Sequence, residues 1–217
     1  MSGWQELWKD PEMRARWEAI PPVPVVVEMA DRLEREGRRR VLDIGCGLGR
    51  HAVYLAGRGF EVVATDVAPS AIEKCRENLE QAGLTAMTVE MDMTEFPWSE
   101  GSFDGVVASN VIHHTDLGTL KGIIGSVRRV LGEDGYFAWV TPTPRHFACG
   151  RGREVEPMTW VDSDEHDGHL PHHFSTEAEV RELLGGYEIV SLDEVEYRED
   201  GKSRWHWRVL ARKRGTG

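Results

Sequence analysis

The sequence predicts an α/β fold, a doubly wound and mostly parallel sheet whose carboxyl-edge loops face a ligand. Three observations predict it. Residues 41–44 form a short apolar strand that runs into Gly45, Gly47 and Gly49 and then into the helical pattern His51, Ala52, Val53, Leu55 and Ala56. A second apolar strand, residues 61–65, ends in Asp66, about 20 residues past the first glycine, where a parallel βαβ unit presents a carboxylate to ribose hydroxyls. Strand and helix patterns then keep alternating, the signature of a parallel sheet covered on both faces.

Taken in order, residues 1–20 carry Trp4, Leu7, Trp8, Trp17 and Ile20 in a charged background and predict one or two short helices. Pro21, Pro22 and Pro24 interrupt the chain before a helix over 25–37. Pro69 opens a helix over 69–81 with Ala71, Ile72, Cys75 and Leu79 on one face, and Gly83 closes it. Strands follow at 87–91, ending at Asp92, and at 103–109, with Asn110, His113 and His114 just beyond. A helix over 116–131, a glycine turn over 132–135 and a fifth strand over 136–141 complete the alternating part. Residues 141–174 lose regular periodicity, and a loop of that length is either functional or disordered. Ser175 is placed to cap a helix reaching Leu184. Residues 187–197 and 204–212 alternate as a terminal hairpin, which brings the strand count to seven.

Composition narrows the function. A chain of 217 residues builds a substantial core, and a net charge of −11 with a pI near 5.3 argues against a general nucleic-acid binder. No apolar run reaches the roughly 20 residues of a membrane span, and the start of the chain does not read as a secretory signal. Cys46, Cys75 and Cys149 are odd in number and far apart, so no disulfide framework is expected. A cytoplasmic protein without membrane partners is the expectation; monomer and homodimer both stay open.

A glycine turn between strand and helix is either a tight connection or a ligand cradle, since backbone N–H groups and the helix dipole favour an anion. Dinucleotide dehydrogenases space their glycines G-x-G-x-x-G, whereas here the third comes one residue sooner. In doubly wound sheets ligands sit beyond the carboxyl ends of the strands, so Asp43, Asp66, Asp92 and Asn110 should converge on one crevice. His113 and His114 stand at that edge as candidate general bases, one facing the ligand and the other structural. His166, His169 and His172 show a ligand-like spacing with carboxylates between them. With no cysteine among them and with Pro171 in the run, a polar lid carrying His169, His172 and His173 is preferred to a metal site. Arg145, His146, Arg151 and Arg153 form a basic stretch in an acidic chain, either an anchor for an anionic group or solvated loop charges.

The succession VLDIGCGLGR, EVVATD, MTVEMDM, GSFDGVVASNVIHH and RRVLGEDGYFAWV resembles class I S-adenosylmethionine-dependent methyltransferases over residues 38–141. The N-terminal tryptophans and the histidine-rich segment resemble small-molecule enzymes of the tellurite-resistance type. The resemblance implies a Rossmann-like, seven-stranded sheet whose C-terminal hairpin brings in an antiparallel strand. It also implies S-adenosyl-L-methionine as cofactor. Gly45, Gly47 and Gly49 would lie against the methionine part, Asp43 at its amino end and Asp66 on the ribose. Asp92 and the Met93 backbone would meet the adenine, and the Asn110 backbone carbonyl the ammonium. Cys46 and Val67 belong to the same loops, and Arg50 either pairs with the cofactor carboxylate or makes a surface salt bridge.

The organisation expected is one methyltransferase domain over 1–217. It comprises a helical cap (1–37) with Trp8 and Trp17 over the substrate, a cofactor core (38–141), an acceptor lid (142–174) and a C-terminal helix and hairpin (175–217). The acceptor expected is a small molecule methylated on O, N, S or a metalloid centre. The Asn/Asp-Pro-Pro-aromatic motif of base N-methyltransferases is replaced here by Asn110-Val-Ile-His113. A nucleotide-dependent oxidoreductase, a non-enzymatic S-adenosylmethionine-binding module and a protein methyltransferase are the rival readings.

Overall fold

The computed structural model describes residues 3–18, 20–162, 170–199 and 201–215. Two short helices, α1 (Gly3–Leu7) and α2 (Pro11–Glu18), lead into α3 (Pro24–Arg35). Pro24 supplies the preset φ of a first helical turn, and Val25, Val26, Met29, Ala30 and Leu33 bury one stripe of α3. The strands of the main sheet are β1 (Arg40–Ile44), β2 (Glu61–Asp66), β3 (Met87–Glu90), β4 (Phe103–Ser109) and β5 (Leu131–Pro142). The helices between them are α4 (Arg50–Gly57), α5 (Pro69–Gln81) and α6 (Leu117–Val130). Beyond them come three short strands, β6 (Arg153–Glu156), β7 (Thr159–Val161) and β8 (His172–His173). The chain closes with α7 (Glu177–Leu183), β9 (Tyr187–Glu199) and β10 (Lys202–Lys213).

The seven-stranded sheet has the order β3-β2-β1-β4-β5-β10-β9. β1 pairs in parallel with both β2 and β4, and β10 runs antiparallel to β5 and β9. The order therefore reverses at β1, which splays the loops after β1 and β4 apart into a crevice. One face of the sheet packs against α3, α4 and α5 through residues such as Val107, Ala138 and Val140. The other packs Val106, Phe137 and Trp139 against α6 and α7. Gly105 lets α3 come close, since a Cβ there would stand 2.9 Å from Leu33 Cδ1.

Two expectations change. The stretch 141–174 is not wholly irregular: β6, β7 and β8 form a separate antiparallel sheet. Strands of two to four residues are too short to show an alternation in sequence. The cap of α7 is Thr176, whose hydroxyl accepts from the Glu179 N–H at 3.2 Å. Ser175 is fully buried and its N–H is committed to the Pro142 carbonyl, so the cap falls one residue later.

Candidate functional site

The crevice begins where β1 runs out. Gly45, Gly47 and Gly49 all take positive φ (62°, 54° and 85°), a conformation side chains with a Cβ rarely adopt. The space their missing Cβ atoms leave is filled by the protein itself. A Cβ at Gly45 would fall inside the Val111 side chain, one at Gly47 would stand 3.3 Å from the Trp8 indole, and one at Gly49 2.5 Å from Cys75 Sγ. The expected reading, glycines that bare the backbone to a ligand, is thus only part of the account. They also let β4's following loop, Trp8 just after α1, and α5 close onto the turn.

Asp66 ties this loop together. Its two carboxylate oxygens accept from Gly47 N–H at 3.0 Å and Ala68 N–H at 2.9 Å. Burial raises its pKa while these N–H groups pull it back. Asp43, at the inner end of β1, is 1 % exposed, and its Oδ2 has no hydrogen-bond partner among the described residues. Burial pushes its pKa up to about 7; the Arg50 charge and the Ala52 N–H oppose this and Asp66 adds to it. A buried carboxylate oxygen left unmatched calls for a cation or a donor. Arg50 is half-buried, its Nη1 reaches the Pro21 carbonyl at 3.5 Å, and it stands 6.0 Å from the Trp17 ring.

Across the crevice, Asn110 has φ 56°, the left-handed region that asparagine tolerates better than most residues, and its buried Oδ1 has no partner among the described residues. Its N–H holds the Val140 carbonyl at 3.1 Å. Cys46 is buried, its thiol pKa driven well up by Cys75 and by burial, and its N–H bonds the Thr65 carbonyl. Val67 is exposed, and Met93 packs against the α6 face. Asp92 is exposed and serves a turn, accepting from Thr94 N–H at 2.8 Å and Thr94 Oγ1 at 2.7 Å.

Beyond Asn110 the imidazoles gather. The ring centroids of His113 and His114 are 4.0 Å apart, those of His114 and His172 4.5 Å, and those of His113 and His172 5.9 Å. His113 is buried with Nδ1 unmatched among the described residues; burial first, then His114, depress its pKa well below the usual imidazole range. His146 is pushed down to about 3 and His206 to about 4, in both cases chiefly by burial, and their rings lie 5.2 Å apart. His206 on β10 and Trp4 on α1, whose ring meets His114 edge-on at 4.7 Å, were not anticipated from the sequence.

Several expected placements need correction. His173 does not face the crevice: it is fully buried, with Nδ1 2.8 Å from Thr159 Oγ1 and Nε2 2.8 Å from Glu179 Oε2, and it staples the small sheet to α7. Trp8 and Trp17 sit at 5.7 Å from each other over the glycine loop, so Trp4 is the indole beside the histidines. Arg145 is bound to Glu194 at 2.8 Å and lies 3.4 Å from the Trp205 ring. His166 and His169 lie outside the described residues. Among those described, no three His, Cys, Asp or Glu side chains are grouped to hold a metal ion, and no helix is long and apolar enough to cross a membrane.

Residues 41–135 match a family described as a methyltransferase domain. An uncharacterized methyltransferase of Synechocystis sp. is 38% identical over 102 residues, 47% of this chain and 46% of that protein. A 2-heptyl-1-hydroxyquinolin-4(1H)-one methyltransferase of Mycobacteroides abscessus is 31% identical over 54% of this chain and 51% of its own length. A 23S rRNA (uracil-C5)-methyltransferase of Salmonella choleraesuis is 28% identical over 67% of this chain and 35% of its own length. The chain thus spans about half or less of the length of these curated relatives. Among solved structures, a SAM-dependent methyltransferase of Methanosarcina mazei superposes with a TM-score of 0.73 at 21% identity, covering 90% of this chain and 99% of that one. The 1,6-didemethyltoxoflavin-N1-methyltransferase of Burkholderia thailandensis, solved with its substrate and S-adenosylhomocysteine, gives 0.68 at 21% identity, with coverages of 94% and 83%. At these identities the structures establish the fold alone.

Proposed function

We propose, from the premise that residues 41–135 belong to the methyltransferase-domain family, that this chain is an S-adenosylmethionine-dependent methyltransferase acting on a small molecule. The observation that carries the reading is the unmatched Oδ2 of buried Asp43 beside the glycine loop, with the unmatched Oδ1 of Asn110 across from it. Two buried acceptors lacking donors fit the ammonium of the cofactor's methionine part. Each oxygen of Asp66 already takes one backbone N–H and keeps a lone pair for a ribose hydroxyl. The N-terminus of α4, with Arg50 as its first residue, favours the cofactor carboxylate. Asp92 and Met93 border the adenine side.

When bound, S-adenosylmethionine supplies a methyl group on a sulfonium whose leaving thioether is neutral. The protein's work is then to orient the acceptor in line and exclude water. His113, held neutral by burial, is already in the form that takes up a proton from an acceptor hydroxyl or amine. His114, Trp4 and His172 wall the same space. The small-molecule acceptor is supported by the quinolone and toxoflavin enzymes among the similar proteins, and by the net charge of −11, which disfavours an RNA acceptor.

The test is calorimetric. S-adenosylmethionine and S-adenosylhomocysteine should bind, and NAD and NADP should not. Binding of the nicotinamide cofactors in their place would overturn the assignment.

A further inference from the structure

Rings wall the acceptor side of the crevice, and they come from distant parts of the chain. Trp4 on α1 meets His114 edge-on at 4.7 Å and 74°, and His114 lies 4.0 Å from His113. Farther along, Tyr197 on β9 meets His206 on β10 at 5.7 Å and 67°, and His206 meets His146 at 5.2 Å and 83°. An edge-on pair engages the rim of one ring and a single face of the other, which leaves flat surface uncovered.

The two groups of rings border one space. Burial lowers the His113 pKa most, and His114, His172, His206 and His146 stand close enough to lower it further. The far end also reaches the cofactor side. Burial lowers the Arg50 pKa, while Asp43 and the Tyr197 phenol are close enough to raise it. Tyr197 is 41 % exposed, unlike the buried His206 it touches, so most of its ring is open to a ligand. A methyl acceptor has to lie between the glycine loop and His113, and Tyr197 with His206 flanks that position from both sides.

The base narrows the acceptor further. His113 Nδ1 is buried without a partner among the described residues, and burial makes it a weak base. A weak base is matched to an acidic hydroxyl. An aromatic hydroxyl ionises at a pH of about 10, as tyrosine does, whereas an alkyl hydroxyl is closer to water, at about 16.

We propose that the methyl acceptor is a flat aromatic or heteroaromatic molecule that stacks on Tyr197 and His206 and turns a ring hydroxyl toward His113. The acceptor oxygen bonds to the methyl carbon as the carbon–sulfur bond breaks. The electron pair of that bond stays on sulfur, and the hydroxyl proton passes to His113 Nδ1. This deepens the small-molecule methyltransferase reading and rests on it.

The probes are α-naphthol, its saturated counterpart decahydro-α-naphthol, and α-naphthylmethanol, whose hydroxyl is aliphatic. Each is titrated calorimetrically into protein loaded with S-adenosylhomocysteine. Apolar burial is non-directional and would hold the saturated ring as well as the flat one. Both aromatic probes should nevertheless bind at least fivefold more tightly than decahydro-α-naphthol. Tyr197→Leu, which keeps apolar bulk, should lose at least fivefold of the α-naphthol affinity, and Tyr197→Phe less than twofold. Both variants should bind S-adenosylhomocysteine as the wild type does. With a labelled methyl donor, α-naphthol should be methylated at least tenfold faster than α-naphthylmethanol.

Equal binding of the saturated and aromatic probes, full affinity in Tyr197→Leu, or a Tyr197→Phe as weak as Tyr197→Leu would overturn the proposal. Equal transfer to the two aromatic probes, or transfer to neither, would overturn it as well. S-adenosylhomocysteine binding is read separately by calorimetry. Its failure would remove the methyltransferase reading, while the α-naphthol titration on unloaded protein would still judge the ring wall.

Discussion

The two sides of the crevice use burial with opposite electrostatic consequences. On the β1–β2 side burial raises the pKa of carboxylates, Asp43 to about 7. On the β4–β10 side it lowers the pKa of imidazoles, His146 to about 3, His206 to about 4, and His113 well down. Both sides are driven toward neutrality, but a neutral acid still has a proton to give up and a neutral imidazole has room to take one. The carboxylate side is therefore suited to becoming charged when a cation arrives, and the imidazole side to offering an unprotonated ring nitrogen to an acceptor that sheds a proton.

The largest expected effect separates the sides by their cover. Removing residues 1–20 takes Trp4 from His114 and Trp8 from Gly47, along with the bonds between Gln5 and Ser70. Turnover should fall by roughly 100-fold or more, because the acceptor loses its wall and positioning. The core should still fold and bind cofactor, more weakly. A truncated chain with near-normal turnover would show that the N-terminal helices are not a lid. Hydrogen exchange that is equally slow with and without ligands would show them to be fixed walls.

Next is the glycine loop. Gly45→Ala puts a Cβ into the Val111 side chain and an unfavourable φ on alanine, and should cost about 2–4 kcal/mol in urea unfolding. Adding Val111→Ala should restore only the steric part. Complete restoration would mean that φ carries no cost here. Asp66→Ala should weaken cofactor binding by about 1–3 kcal/mol by calorimetry, and unchanged affinity in a folded variant would place the ribose elsewhere.

The pH response tests the contrast directly. An acid whose folded pKa is raised contributes stability below its unfolded pKa of 3.8 that is lost as pH rises through about 7. The buried histidines slope the other way: His113, His146, His206 and also His51 favour the folded state above 6.5 and penalise it as pH falls. Stability of the unliganded wild type should thus climb toward neutral pH, four histidines outweighing Asp43 and Asp66, whose pKa values burial raises. The difference between Asp43→Asn and wild type should grow in the variant's favour, by about 1–3 kcal/mol, between pH 4 and 7. A flat difference curve would mean that Asp43 is not held neutral.

The smaller effects concern the histidines one at a time. His113→Ala should lower turnover by about 10- to 100-fold with cofactor affinity intact. His173→Ala should cost about 1–3 kcal/mol of stability, since Thr159 and Glu179 lose their shared partner. If His113→Ala instead abolishes cofactor binding, the division into two sides fails. A chelator should change neither binding nor rate, and recovery with added zinc would revive a metal role for the 166–173 segment.

Neighbouring residues in this chain show how far a sequence can be read. His172 and His173 look equivalent in sequence, yet successive side chains of a strand point to opposite faces, and β8 sends one to the crevice and the other to α7. Asp92 carries the look of a ligand residue, and one of its carboxylate oxygens also holds the turn at Thr94. The wall of rings was half visible, in His113 and His114. His206 and Tyr197 join it from β10 and β9, and neither has a local pattern to announce it.

By itself the sequence determined the succession of strands and helices that build the seven-stranded sheet, the turn of Gly45, Gly47 and Gly49, and the carboxylates of Asp43 and Asp66. Those features rest on local physics: side-chain period, φ, and residues a few positions apart on one βαβ unit. The tertiary structure alone decided that Trp4 meets His114 and that His206 stands beside His146. Those contacts exist because β10 returns antiparallel along β5 with His206 opposite Pro142, and because α1 folds back onto α5. Long-range register of that kind is set by the packing of the whole sheet, and no short stretch of chain encodes it.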